Sequence, residues 1–225
     1  MTNGGDCLET LRVLCHELRR PLTVIRGAAG LLSEDAGRLP EDSRQNMMRL
    51  IESSVDTMTE QLDDLLTAQQ LDAGEVDLEL EPVGLSALLE GAVAAVSRQK
   101  PEVRIELGPA DELVVEADRD QAERALRAVL ANAVRHSPPG GTVEVVARGD
   151  GSTARVEILD RGPGIPSGQR ELAFQKFARL SRPAGGAGLG LFLARGLTRA
   201  MGGEVEIGDR PGGGAAVWFT LSRRA

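Results

Sequence analysis

His16 and Glu17 are the first residues of this 225-residue chain whose types and setting could do chemistry, and His16 is one of only two histidines. They stand in Leu14-Cys15-His16-Glu17-Leu18-Arg19-Arg20-Pro21-Leu22. An imidazole with an ordinary pKa of roughly 6.5 is mostly neutral near neutral pH and keeps a ring lone pair for nucleophilic attack. Glu17 can accept a hydrogen bond from the second ring nitrogen and draw off its proton as the first nitrogen attacks. The same pair also reads as solvated surface charge beside a proline. Pro21 deletes the amide that would bond the carbonyl of Glu17, so a kink one turn after the histidine is expected either way.

A second group lies far along the chain. Asn132, near the end of an expected helix, offers a neutral amide oxygen, a hard ligand suited to Mg2+ already held by phosphates. Arg135 and His136 follow closely and could meet phosphate or a base. Taken singly, each is also an ordinary helix-face or surface residue.

Glycine clusters occur in two places. Asp160-Arg161-Gly162-Pro163-Gly164-Ile165 follows an expected strand, and Gly185-Gly186-Ala187-Gly188-Leu189-Gly190-Leu191 opens an expected helix. Glycines after a strand let the backbone turn sharply and approach a ligand, and helix N-terminal amides suit phosphate. The second cluster lacks the lysine of a Walker loop. A dinucleotide fingerprint counted from Gly186 would need glycine where Leu191 stands.

These residues must be positioned by two regions of different periodicity. From Leu8 the apolar positions run Leu8, Leu11, Cys15, Leu18, Leu22, Ile25, Ala29, Leu32, spaced alternately 3 and 4, which is the seam of a coiled coil or helix bundle. His16 falls one residue past a seam position, so its ring is expected to point outward, and Cys15 is expected to be a small packing residue. A breaker stretch over 35–40 precedes a second seam, Met48, Ile51, Val55, Met58, Leu62, Leu65. Two such helices expose a wide apolar stripe, and pairing two hairpins into a four-helix bundle buries it, so a homodimer is expected.

Around Ala73-Gly74 the pattern changes, and the domains are read as 1–73 and 74–225. Strands are expected over 76–80, 103–107, 114–117, 142–147, 154–159, 204–207 and 216–221. Helices are expected over 85–97, 122–134 and 189–201, with Asp118 placed to cap the second. Mixed strands and helices with short turns argue for an α+β sandwich carrying its helices on one sheet face.

Composition narrows the class. A formal net charge of −8 argues against nucleic-acid binding, which needs a basic footprint. No apolar run approaches the roughly 18 residues of a membrane span, and no signal peptide is read at the start. The two cysteines, Cys7 and Cys15, show no metal-ligand spacing and fit a reducing, cytoplasmic compartment.

Together the pieces resemble the catalytic core of a sensor histidine kinase of two-component signalling. His16-Glu17-Leu18-Arg19-x-Pro21-Leu22 resembles the H box, and Leu130-Ala131-Asn132-Ala133-Val134-Arg135-His136 the N box. Asp160-x-Gly162-x-Gly164 matches the G1 box, Phe174-Gln175-Lys176-Phe177 the F box, and Gly186-Ala187-Gly188-Leu189-Gly190 the G2 box. The order and spacing agree from about residue 8 to the end.

The resemblance implies a dimerisation and phosphotransfer hairpin followed by a Bergerat-type ATP-binding domain. It implies that Asp160 accepts the adenine amino group, with Gly162 and Gly164 shaping its turn, that Asn132 holds Mg2+, and that Gly186, Gly188, Leu189 and Gly190 line the phosphates. Arg179 would reach the γ-phosphate, Arg135 would sit at a phosphate-contacting position, and His136 would take the place of a common aromatic beside the base. It further implies transfer from His16 to an aspartate of a response regulator. The signal would come through a sensory partner or a sensor domain outside this sequence, which would then be the cytoplasmic portion of a larger membrane-bound kinase.

Two departures matter. Arg20 stands where many members carry threonine or asparagine to orient water, so classical phosphatase activity is expected to be weak. Ala128 stands where related ATPases place a glutamate base, which disfavours those readings. The alternative kept open is a non-catalytic or partner-activated nucleotide-binding scaffold or phosphotransfer protein.

Overall fold

The computed structural model describes the backbone of residues 4–34, 39–110, 112–180 and 187–224, with side chains from Cys15 onward except those of His16, Glu34, Pro109 and Ala110. The chain forms two compact units, Met1–Thr67 with Gly185–Ala187, and Ala68–Ala184 with Gly188–Ala225.

The first unit consists of long helices. Helix α1 spans Gly4–Glu34 and runs through Pro21, and α2 spans Glu41–Ala73, its last turns belonging to the second unit. Helix α2 opens directly after Pro40 with Glu41 and Asp42 in its first turn, where carboxylates suit the positive end of the helix dipole. Burial splits the expected seams into alternate halves. Leu18, Ile25 and Leu32 of α1 and Ile51, Met58 and Leu65 of α2 are half-buried. Leu22, Met48, Val55 and Leu62 are exposed, at 51, 54, 48 and 47 %. Cys15 is exposed as well, against the expectation of a packed seam residue, because it falls on that uncovered half. The ring of His16 lies outside the described residues, so its outward direction and its bond to Glu17 do too. Glu17 itself is buried.

The second unit is built on a five-stranded mixed sheet. Its strands are β2 (Arg104–Ala110), β4 (Thr142–Asp150), β5 (Thr153–Leu159), β6 (Glu204–Asp209) and β7 (Ala215–Ser222), in spatial order β2-β4-β5-β7-β6. Strand β2 runs parallel to β4 and the other pairs are antiparallel. A small antiparallel ribbon joins β1 (Glu81–Gly84) to β3 (Val114–Ala117).

Period-two alternation gives the large sheet one apolar face. Val145, Ile158, Val217 and Ile207 stand side by side across four strands, and Ala147, Val156, Phe219 and Val205 form the next row. All are buried in one core with the apolar sides of α3 (Leu85–Ser97), α4 (Arg119–His136) and α6 (Gly190–Ala200). The opposite face carries Arg155, Glu157, Trp218 and Thr220. There the Arg155 guanidinium lies 4.9 Å from the centroid of the Trp218 ring, which packs on the bare backbone of Gly208.

Helices α3 and α4 match the expected positions. Asp118 caps α4, its side chain accepting from the Gln121 amide at 3.1 Å. The strand expected over Val76–Leu80 is not one. The segment is an unpaired connection whose Val76 and Leu78 pack on the core, and the ladder begins at Glu81. Its alternation reflects one-sided burial without a partner strand.

Candidate functional site

Helix α4 is the spine of the site. Ala122, Ala125, Leu126, Val129, Leu130, Ala133 and Val134 bury one face, which leaves Asn132 on the half-exposed side, its carboxamide without a hydrogen bond among the described residues. The helix ends in Arg135 and His136, and the Arg135 cation suits the negative end of the dipole. Lys100 adds a second cation, its Nζ donating to the Ser137 carbonyl at 2.7 Å and to that of Val134 at 3.5 Å. Burial, followed by the charge of Arg135, pushes the His136 imidazole below its ordinary 6.5. Asp160 pulls the other way and Lys100 reinforces the drop.

Asp160 directly follows β5 and is buried. Its Oδ1 accepts from the amides of Gly162 at 2.8 Å and Ala215 at 3.1 Å. Its Oδ2 accepts nothing among the described residues. One oxygen is thus fixed by backbone and the other is free to accept from a ligand, as recognition of a base amino group requires. The turn that follows is pressed against α4: a Cβ at Gly162 would stand 2.7 Å from the carbonyl oxygen of His136. Gly164 takes a φ of +73°, a conformation that favours glycine.

The chain then passes through a 3-10 turn at Ser167–Gln169 and the short α5 (Arg170–Ala173). Phe174 is buried beneath the Arg195 guanidinium, 4.4 Å from its ring centroid. Arg195 also binds Glu171 at 2.7 Å and Glu204 at 2.9 Å, which staples α5 to α6 and β6. Lys176 donates to the Ala68 carbonyl at 3.1 Å and pairs with Asp72, and it lies over the Phe192 ring. The Phe177 amide donates to Gly188 at 2.9 Å, and Phe177 itself adopts a φ of +61°. Arg179 is exposed.

Helix α6 begins at Gly190, directly after the buried Leu189. A Cβ at Gly190 would come within 3.8 Å of Ala128, one turn before Asn132 on α4. Residues 128–136 are therefore flanked by the start of α6 on one side and the Asp160 turn on the other. That brings together Asn132, Arg135, His136, Asp160, Gly162, Gly188, Leu189 and Gly190. Gly186 lies outside the described residues. His16 and Glu17 belong to the other unit.

An ATP molecule fits this donor set. The free Asp160 Oδ2 suits a base amino group, and the uncommitted Asn132 carboxamide suits a phosphate-bound cation. No group of three or more His, Cys, Asp or Glu residues able to hold a metal exists among the described residues, so a cation here would depend on Asn132 and the nucleotide's own phosphates. Lys100 and Arg195 escaped sequence reasoning, because their partners are main-chain carbonyls or residues remote in sequence.

Comparison with known proteins agrees with this architecture. Residues 8–74 match the His Kinase A (phospho-acceptor) domain. Residues 117–225 match the histidine kinase-, DNA gyrase B- and HSP90-like ATPase. The chain belongs to the sensor histidine kinase family. It is 35% identical over 213 residues to the sensor histidine kinase MtrB of Mycobacterium leprae, covering 92% of this chain and 38% of that protein. The chain thus spans well under half the length of the curated relatives it matches. Among solved structures, the mycobacterial sensor histidine kinase MprB is 31% identical with a TM-score of 0.59, covering 65% of this chain and 99% of that one. Full-length ShkA in complex with AMPPNP is 31% identical with a TM-score of 0.67, covering 96% of this chain and 46% of that one. No described helix is long and apolar enough to cross a membrane.

Proposed function

We propose that the chain is the core of an ATP-dependent protein histidine kinase that phosphorylates His16 and passes the phosphoryl group to an aspartate of a response regulator. A ring nitrogen of His16 attacks the γ-phosphorus, a P–N bond forms, the P–O bond to ADP breaks, and Glu17 takes the ring proton. Asp160 accepts from the adenine amino group through its free oxygen. Gly186, Gly188, Leu189 and Gly190 line the phosphates, with Arg135 and Arg179 adding positive charge. A Mg2+ ion held by Asn132 and the phosphates would spread the charge of the moving group.

The observation that carries this reading is the buried Asp160 carboxylate, fixed at one oxygen and open at the other, beside the Asn132 helix. The nucleotide analogue named in the ShkA complex supports it. In the same reading residues 1–73 form the dimerisation and phosphotransfer domain and residues 74–225 the ATP domain. The exposed half-seam of Leu22, Met48, Val55 and Leu62 is covered by a second copy. The core works in the cytoplasm, and Arg20 leaves it with weak phosphatase activity.

Incubation with γ-labelled ATP and Mg2+ beside a His16→Gln variant tests the proposal. Acid-labile, base-stable label is expected on the parent and absent from the variant. Nucleotide binding without label would instead favour a scaffold.

A further inference from the structure

We propose that Arg210 is a positioning residue for selection of the nucleotide base, an inference that rests on the reading of Asp160 as acceptor of the base amino group. Arg210 follows β6 and is buried, although it is charged. Its Nη1 donates to the carbonyl of Leu159 at 3.0 Å and to that of Asp160 at 3.2 Å. Its Nη2 donates to Glu144 Oε1 at 2.5 Å, an oxygen that Arg161 also approaches at 3.6 Å. The planar guanidinium fork thus spans the two main-chain carbonyls that carry the Asp160 side chain and a carboxylate on β4.

The turn that presents Arg210 is tied to the same place. The Gly213 amide donates to the Arg210 carbonyl at 3.1 Å, and the Asp160 amide donates to Ala215 at 3.0 Å. Gly214, at φ +106°, approaches the Asp160 carbonyl so closely that no Cβ fits. Amides fix Oδ1, but the direction of Oδ2 depends on the backbone at 159–160, and that is what Arg210 holds. A buried charge paired in this way is weak evidence for stability as such. Its placement on the backbone of one acceptor residue points to aim.

Calorimetric titration of the full chain with ADP and with GDP provides the test, on the parent and on Arg210→Met, Arg210→Lys and Asp160→Asn. Folded Arg210 variants are expected to lose about fivefold in ADP affinity, the fold-change of one misdirected hydrogen bond, with GDP affinity unchanged. A purely structural role would weaken both nucleotides alike, and either that result or an unchanged ratio overturns the proposal. Should Arg210→Met fail to fold, Glu144→Gln frees one end of the guanidinium at a half-exposed site and must also narrow the ratio. Asp160→Asn is expected to erase the preference. If it does not, the base-acceptor reading itself fails, and Arg210 has nothing to aim.

Discussion

The carbonyl oxygen of His136 and the α-carbon of Gly162 are in such close apposition that a methyl group on the glycine would stand 2.7 Å from that oxygen. The end of α4 and the turn after Asp160 are therefore one packed unit. Gly162→Ala must push them apart. Overpacking of this kind costs about 1–3 kcal/mol, so the urea midpoint should fall. Nucleotide affinity should drop further than stability alone requires, because the turn carrying Asp160 moves. Calorimetry on the folded variant reads the second effect.

His136 gives a pH dependence whose sign follows from its lowered pKa. Between that lowered value and 6.5 the unfolded chain binds more protons than the folded one, so stability rises with pH across that window. Acidification through 6.5 should destabilise the ATP domain, and the loss should level off once the folded protein also binds the proton. A His16→Gln background removes the other histidine. The difference in denaturant midpoints between pH 7.5 and 5.5 should then shrink when His136→Gln is added.

Arg195 joins Glu171, Glu204 and the face of Phe174, and its side chain is 16 % exposed. Arg195→Met removes two ion pairs and a cation–π contact at once, at an expected cost of about 1–2 kcal/mol. Amide exchange over 170–177 should accelerate more than exchange in β4 or β5. Equal acceleration everywhere would mean that Arg195 supports the whole domain rather than this segment.

Arg20 follows His16 by one helical turn, and in the proposed function its guanidinium stands where a short polar side chain would orient water. Arg20→Thr is expected to speed dephosphorylation of a response regulator that accepts phosphate from His16 by about tenfold or more, short of the ~10²–10⁴ that fully positioned proton transfer contributes. Faster dephosphorylation by the parent than by the variant would contradict the weak-phosphatase reading.

Much of the second unit was legible because its signals are local. Leu85–Ser97 is a helix over the span its amphipathic pattern gives, and Asp118 caps where an aspartate before an apolar-periodic run should. The glycine turns at Gly164 and Gly188, both at positive φ, were legible for the same reason. The first strand was not. Its true residues, Glu81-Pro82-Val83-Gly84, include two strand-disfavouring types, while Val76 and Leu78 mimic alternation by packing on the core alone. The three-four spacing located the helices but could not say which seam positions a single chain covers, so Cys15 was misplaced. Lys100 and Arg210 were invisible because a main-chain carbonyl has no sequence signature.

Trp218 is the only tryptophan, and the chain has no tyrosine. Its ring, held between Arg155 and Gly208 on the outer face of the sheet, therefore supplies almost all of the intrinsic fluorescence, and that signal originates wholly in the ATP domain. Far-ultraviolet circular dichroism is weighted instead toward the long helices α1 and α2. One denaturant titration followed by both probes separates the melting of the two units without any label, and coincident curves would reveal that they unfold together.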